Sequence, residues 1–210
     1  MNPMDLWHWF SSDTGLMAVF AQNRLLGACL IAAIIFVETG LVVMPFLPGD
    51  SLLFGAGAYL GVSGHSPLLV IVMAAVAAVA GDAVNYSVGR SRVGQSLVSR
   101  GWVKTRHLDR ARSYFERYGG MTITIARFVP VVRTVAPFVA GLSEMDLRRF
   151  LVFNAAGGVL WCTVMVSAGF WLGKVKWVHE HLQWLSLIIV AVSLVPVAYQ
   201  LLRERHRTNR

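Results

Sequence analysis

The apolar stretches of this chain carry single charges where a packed apolar core would carry none. Glu38 follows LLGACLIAAIIFV (Leu25–Val37), and Asp50 ends the Pro-rich turn MPFLPGD just beyond it. Arg127 and Arg133 bracket RFVPVVR, between the apolar runs MTITIA and TVAPFVAGL. The chain is 56% hydrophobic and 14% charged over 210 residues, with mean hydropathy +0.58, so a soluble domain would be short of polar surface. A single all-α integral membrane domain over 1–210 is the expectation. A charge near the centre of a bilayer costs several kcal/mol, so acids in one apolar region and arginines in another point to a polar site.

The net charge of +8 raises nucleic acid as a partner, and its distribution argues against that. Seven basic residues lie between Arg90 and Arg112 against one acid, Asp109, and four more (Arg203, Arg205, Arg207, Arg210) close the chain. Both clusters flank apolar spans, which is the positive-inside pattern of cytoplasmic loops. The start, MNPMDLWHWFSSD, has neither a basic n-region nor a continuous apolar run, so no cleavable signal is predicted. Its Trp7, Trp9 and Phe10 fit an interfacial segment over 1–24. Cys29 and Cys162 both sit inside apolar runs and read as small packing residues. His179 and His181 have no third ligand close in sequence, so no metal or other cofactor is expected.

About 20 apolar helical residues cross roughly 30 Å of hydrocarbon. Four spans are predicted on that basis, near Leu25–Met44, Leu68–Val88, Leu147–Leu172 and Trp184–Leu202. A basic cytoplasmic segment over 89–118 and a basic tail over 203–210 complete the chain. Two further apolar segments, Pro45–Leu60 and Met121–Leu142, are broken by Pro and Gly near their middles, and their halves are too short to cross. Irregular backbone at membrane depth survives only inside protein or against a wet cavity, so both are expected to be re-entrant helical hairpins. Pro48 and Pro130 introduce the two turns. With the basic segment and both termini in the cytoplasm, the hairpins enter from opposite faces, as in the inverted repeats of secondary transporters.

The chemistry follows from residue type. Burial raises a carboxyl pKa towards the physiological range, which makes Glu38 and Asp50 candidate proton acceptors. Arg127 and Arg133 hold their protons and present forked donors suited to phosphate. An equally direct reading is that acids and arginines simply pair to hold the hairpins together.

The segments FVETGLVVMPFLPGDSLLFGAG, GDAVNYSVGR (Gly81–Arg90) and YGGMTITIARFVPVVRTVAPFVAGLSEMDLRRFLVFNAAGGVLW (Tyr118–Trp161) resemble the DedA family of bacterial membrane proteins. The resemblance implies a multi-pass inner-membrane protein with two opposed re-entrant hairpins. It implies transport of a phospholipid-type cargo, with undecaprenyl phosphate as the associated lipid and the proton-motive force as the associated drive. It assigns the functional acids to Glu38 and Asp50 and the paired arginines to Arg127 and Arg133. Gly81, Asp82, Tyr86, Gly89 and Arg90 match a further family element, and Asp82, Tyr86 and Arg90 are expected to support the site.

Asp82 lies four residues before Tyr86 on one helix face, which favours bonding across helices to Tyr, Asn85 or an arginine. Asn154, in NAAGGVLW, reads as close helix packing. Glu144 and Asp146 fit the N-terminus of the third span, and the tryptophans fall mostly near predicted span ends, as interface anchors do. Ser63-Gly64-His65 matches a fragment of the phosphatidic acid phosphatase signature, but the Lys-x6-Arg-Pro and His-x3-Asp parts are missing, so no enzyme is expected. A proton-coupled polyprenyl phosphate flippase, a passive phospholipid scramblase and a non-transporting structural protein stand as the alternatives. Oligomeric state is open here, because lipid-facing and partner-facing apolar residues look alike.

Overall fold

The computed structural model describes Phe20, 22–40, 49–100, Ser113, Phe115 and 117–175, and the regular structure among these residues is helical. Seven helices follow in order: α1 (Arg24–Gly40), α2 (Gly49–Ser63), α3 (Leu68–Arg90), α4 (Arg92–Ser99), α5 (Met121–Ala126), α6 (Pro130–Leu142) and α7 (Leu147–Gly173). Helices α3 and α7, of 23 and 27 residues, are long and apolar enough to cross a membrane and coincide with the second and third predicted spans. Helix α1 covers most of the first, and Asn23 caps it by accepting from the Leu25 and Leu26 amides (3.1 Å each). The span at Trp184–Leu202, residues 41–48 with Pro48, the basic tail, most of the N-terminal segment and residues 101–112 of the basic segment lie outside the described residues.

Burial is inverted relative to a water-soluble fold. Leu68, Val76, Val152 and Trp171 are 64–67% exposed, while Glu38 is 1% and Asn85 and Asn154 are 0% exposed. Apolar side chains that face outwards around buried polar ones are stable only where the surroundings are themselves apolar. That is the pattern of a protein in a bilayer.

The described residues fall into two compact units. In one, α2 and the last residues of α7 meet along glycines. Gly57 and Gly61 on α2 face the Val166 and Phe170 carbonyls, and Gly169 and Gly173 on α7 face those of Phe54 and Ala58. Each helix offers a G-x-x-x-G stripe, which allows backbones to approach closer than any side chain permits. The segment Pro45–Leu60 was expected to break at its middle. Its described part, Gly49–Ser63, is instead one uninterrupted helix, in which Gly57 and Gly61 serve helix contact rather than a turn.

In the other unit, α3 packs against the ends of α1 and α6 and the first turns of α7. Gly81 faces Thr39 and the Phe36 carbonyl, while Gly89 and Gly141 face the Phe138 and Tyr86 carbonyls. The segment Met121–Leu142 does break as predicted. Helix α5 ends after six residues, Arg127–Val129 turn, and Pro130 opens α6 at its first position, where the missing N–H costs nothing. Pro137 removes one bond inside α6, and beside it Asn85 donates to the Thr134 carbonyl (2.8 Å) and to that of Thr39 (3.2 Å).

Candidate functional site

Three of the predicted residues meet in this second unit, together with Asp82. Arg127 caps the end of α5, and Arg133 lies one turn into α6, so the turn between them throws both guanidiniums towards α3 and α1. Arg127 forms an ion pair with Asp82 of α3, and Arg133 forms one with Glu38 of α1. The side chains of Arg127, Asp82 and Glu38 are buried, and that of Arg133 is partly so. Asp82 is thereby an arginine partner, one of the bonds its sequence position favoured.

Neighbours from α7 fix the pairs. Arg127 also donates to Asn154 Oδ1 (2.9 Å), and Asn154 in turn donates to the Val79 carbonyl (3.1 Å), tying α7 to α3. One buried ring, Trp161, lies 5.8 Å from the Arg127 guanidinium and 5.2 Å from that of Arg133, within cation–π range of both. Gly158, between them on α7, leaves room for the Arg127 guanidinium, which a Cβ would meet at 2.9 Å. Arg127 Nη1 is buried and makes no hydrogen bond. Thr39, Asp82, Arg127, Arg133, Thr134 and Trp161 line a cavity with room for roughly one water molecule.

Reading the sequence alone left two of these residues elsewhere. Asn154 was assigned to helix packing, and it is also the hydrogen-bond acceptor for Arg127. Trp161 lies inside the third predicted span rather than at its end, and it is buried between two cations. A signal was there: Asn154, Gly158 and Trp161 are spaced i, i+4, i+7, one stripe of a helix.

Tyr86 and Arg90 form a different cluster one turn along α3. Tyr86 donates to the Met145 carbonyl and stacks on Phe150 (4.4 Å between centroids), while Arg90 donates to the Tyr86 hydroxyl (2.8 Å). They fasten the turn between α6 and α7 and so hold Arg133 in place indirectly. Asp146 caps α7 through the Arg149 amide (2.9 Å), as its position predicted. Asp50 lies in the first turn of α2, in the unit built from α2 and the end of α7, where a carboxylate is favoured by the helix dipole. Pro130 has the turn position expected of it.

Chemically, the cluster holds two forked cations whose partners are two titratable acids, at the depth of an apolar span. Such a group can exchange one anion for another at constant cation charge.

The VTT domain matches residues 47–171. Protein DedA of Escherichia coli K12 is 39% identical over 203 residues, covering 94% of this chain and 92% of that protein. An uncharacterized membrane protein of Mycobacterium tuberculosis is 40% identical over 199 residues (92% and 83% covered), and the inner membrane protein YghB of Salmonella typhimurium is 36% identical over 169 (79% and 75%). No solved structure matches. With a domain match over more than half its length and this identity to Protein DedA, the chain belongs to the DedA family of VTT-domain membrane proteins.

Proposed function

We propose that the protein moves a lipid phosphate, of the polyprenyl (undecaprenyl) phosphate type, across the bacterial inner membrane, and that the movement is coupled to protons. The observation that carries this reading is the pair of buried arginine–carboxylate contacts beside one tryptophan. A phosphate headgroup needs a cationic, partly dry pocket, and its tail needs the apolar surface that α3 and α7 present. Arg127 and Arg133 are the headgroup ligands. Glu38 is the acid whose protonation frees Arg133 for the phosphate, and Asp50 is a second proton acceptor, reached from water. Asp82, Tyr86 and Arg90 support the arginines.

In this reading the segments around Pro48 and Pro130 are re-entrant hairpins that enter from opposite faces, with both termini and the 89–118 segment cytoplasmic. The cavity is too small for a phosphate, so in this reading the hairpin turn moves to admit cargo. The protein makes and breaks no covalent bond in its lipid.

The test is reconstitution in liposomes, following the accessibility of polyprenyl phosphate in each leaflet with and without a pH gradient. Gradient-dependent movement is expected. Movement that ignores the gradient would leave a passive scramblase, and none at all would leave a structural role for the ion pairs. Cysteine labelling at Ser63 and Ser99 should report opposite faces, and labelling from one face would remove the opposed-hairpin topology.

A further inference from the structure

Among the described residues the cluster is charge-balanced: two guanidiniums, Arg127 and Arg133, meet two carboxylates, Asp82 and Glu38. The groups facing it from each packed element are few. Helix α1 supplies Glu38 and Thr39, α3 supplies Asp82, the α5–α6 hairpin supplies both arginines and Thr134, and α7 supplies Asn154, Trp161 and the Cys162 thiol near Arg127. Among these described neighbours no further charge enters. Uncompensated charge at this depth is far more costly than a neutral pair.

A phosphate monoester has a second pKa of about 6 and is largely a dianion at neutral pH. If a dianion takes both guanidiniums while both carboxylates stay ionised, four negative charges face two positive ones. The imbalance vanishes when each displaced carboxylate takes up a proton. Resting on the transport reading above, we propose that Asp82 is a second proton carrier beside Glu38, and that the cluster binds one proton for each negative charge on the phosphate it holds.

The balance closes. Asp82 and Glu38 each pass from COO⁻ to COOH, their contacts with Arg127 and Arg133 pass to phosphate oxygens, and the net charge is zero before and after. Cargo and protons then cross as a neutral set. A pH gradient drives the step and a membrane potential does not. Asp50 exchanges protons with water and ends each cycle in the state in which it began.

The experiment uses the full chain in proteoliposomes, with polyprenyl monophosphate as the probe, an internal pH dye and imposed ion-diffusion potentials. Two protons per phosphate dianion are expected, with a less than twofold change in steady distribution at about 100 mV. One uncompensated charge would shift that distribution about fiftyfold, from the roughly 2.3 kcal/mol that a charge gains per 100 mV. Such a shift in the wild type, or one proton per dianion, overturns the proposal without need of any variant. Asp82→Asn should carry one proton per phosphate and acquire the fiftyfold potential dependence, and Asp82→Glu should return both to wild-type values. Two protons and no potential dependence in Asp82→Asn would overturn the assignment of Asp82. Absence of all phosphate movement by the wild type is a different failure, because it removes the transport reading itself.

Discussion

Two helix contacts in this protein are built on one pattern. In the first, Gly61 of α2 meets the Phe170 carbonyl of α7 and Gly173 meets that of Ala58. In the second, Gly141 of α6 meets the Tyr86 carbonyl of α3 and Gly89 meets that of Phe138. Residues 58–66 correspond to residues 138–146, eighty positions later, and the register holds in detail. His65 N–H donates to the Leu60 carbonyl (3.0 Å) as Met145 N–H does to that of Ala140 (3.1 Å). Gly64 and Glu144 both adopt positive φ, +69° and +57°. Ser66 and Asp146 both cap the helix that follows, Ser66 accepting from the Leu68 amide and Asp146, one residue further along, from that of Arg149. The short helix of each half therefore packs on the long helix of the other half.

The differences lie in what each copy adds. Where Arg90 bonds the Tyr86 hydroxyl, Lys174 sits 4.3 Å over the Phe170 ring: the same i, i+4 cation–aromatic pair, without the hydroxyl. Beside the α6–α3 contact lie Asp82, Arg127, Arg133 and Glu38, while the α2–α7 contact is made of Gly, Ala, Phe and Val. A common scaffold of close backbone contacts thus carries an ionic site in one unit and apolar packing in the other. The lesson is that the glycines specify the architecture and the charges specify the work.

That division can be broken at several points. The largest effect should come from Asp82→Ala, which strands the buried Arg127 charge. A loss of about 3–5 kcal/mol in thermal melts of detergent-solubilised protein is expected, and a near-neutral result would show that the pair contributes nothing to the fold. Gly61→Val and Gly141→Val come next. Each drives a side chain into a backbone carbonyl that cannot yield, so each should cost about 3 kcal/mol, the upper end of ordinary overpacking. Unequal costs would dissolve the equivalence of the two contacts. Arg133→Lys keeps the charge and loses the fork, so phosphate movement should fall about tenfold, roughly 1.4 kcal/mol, while insertion is unchanged. Tyr86→Phe makes the second copy imitate the first at Phe170, and losing the bond to the Met145 carbonyl should lower stability by about 1 kcal/mol. Glu144→Gly gives the second turn the residue of the first and relieves a left-handed conformation. A gain of about 0.5 kcal/mol is expected, and a loss would show that the Glu144 side chain is needed there.

Much of this could be read in the sequence, and for one reason. The cost of burying a charge singles out Glu38, Asp50, Arg127 and Arg133 without any structure, although Asp50 lies in the other unit, and apolar length alone locates α3 and α7. Pairing was less accessible, because which acid meets which arginine depends on how α1 and α3 are rotated about their axes. Asp82 therefore passed as a supporting residue although it holds Arg127. Uncharged partners were the hardest to find. Asn154 and Trp161 are ordinary residues of an apolar helix until a guanidinium is placed beside them. Glycine misled in Pro45–Leu60 because G-x-x-x-G and a turn draw on the same residue.

Helix α7 is 27 residues long and α3 is 23, and the extra length changes the register. Phe170 and Lys174 answer Tyr86 and Arg90 at a spacing of eighty-four rather than eighty. Four residues turn a helix through about 400° and lengthen it by about 6 Å. Its tip thus returns to within about 40° of the original bearing, and the glycine contact survives. The extra turn falls between Asp146 and Phe170, the stretch that contains Asn154, Gly158 and Trp161. Two contacts of one geometry are thus met by helices that differ by a single coil, and the longer helix gains a stretch for the site while still fitting its counterpart.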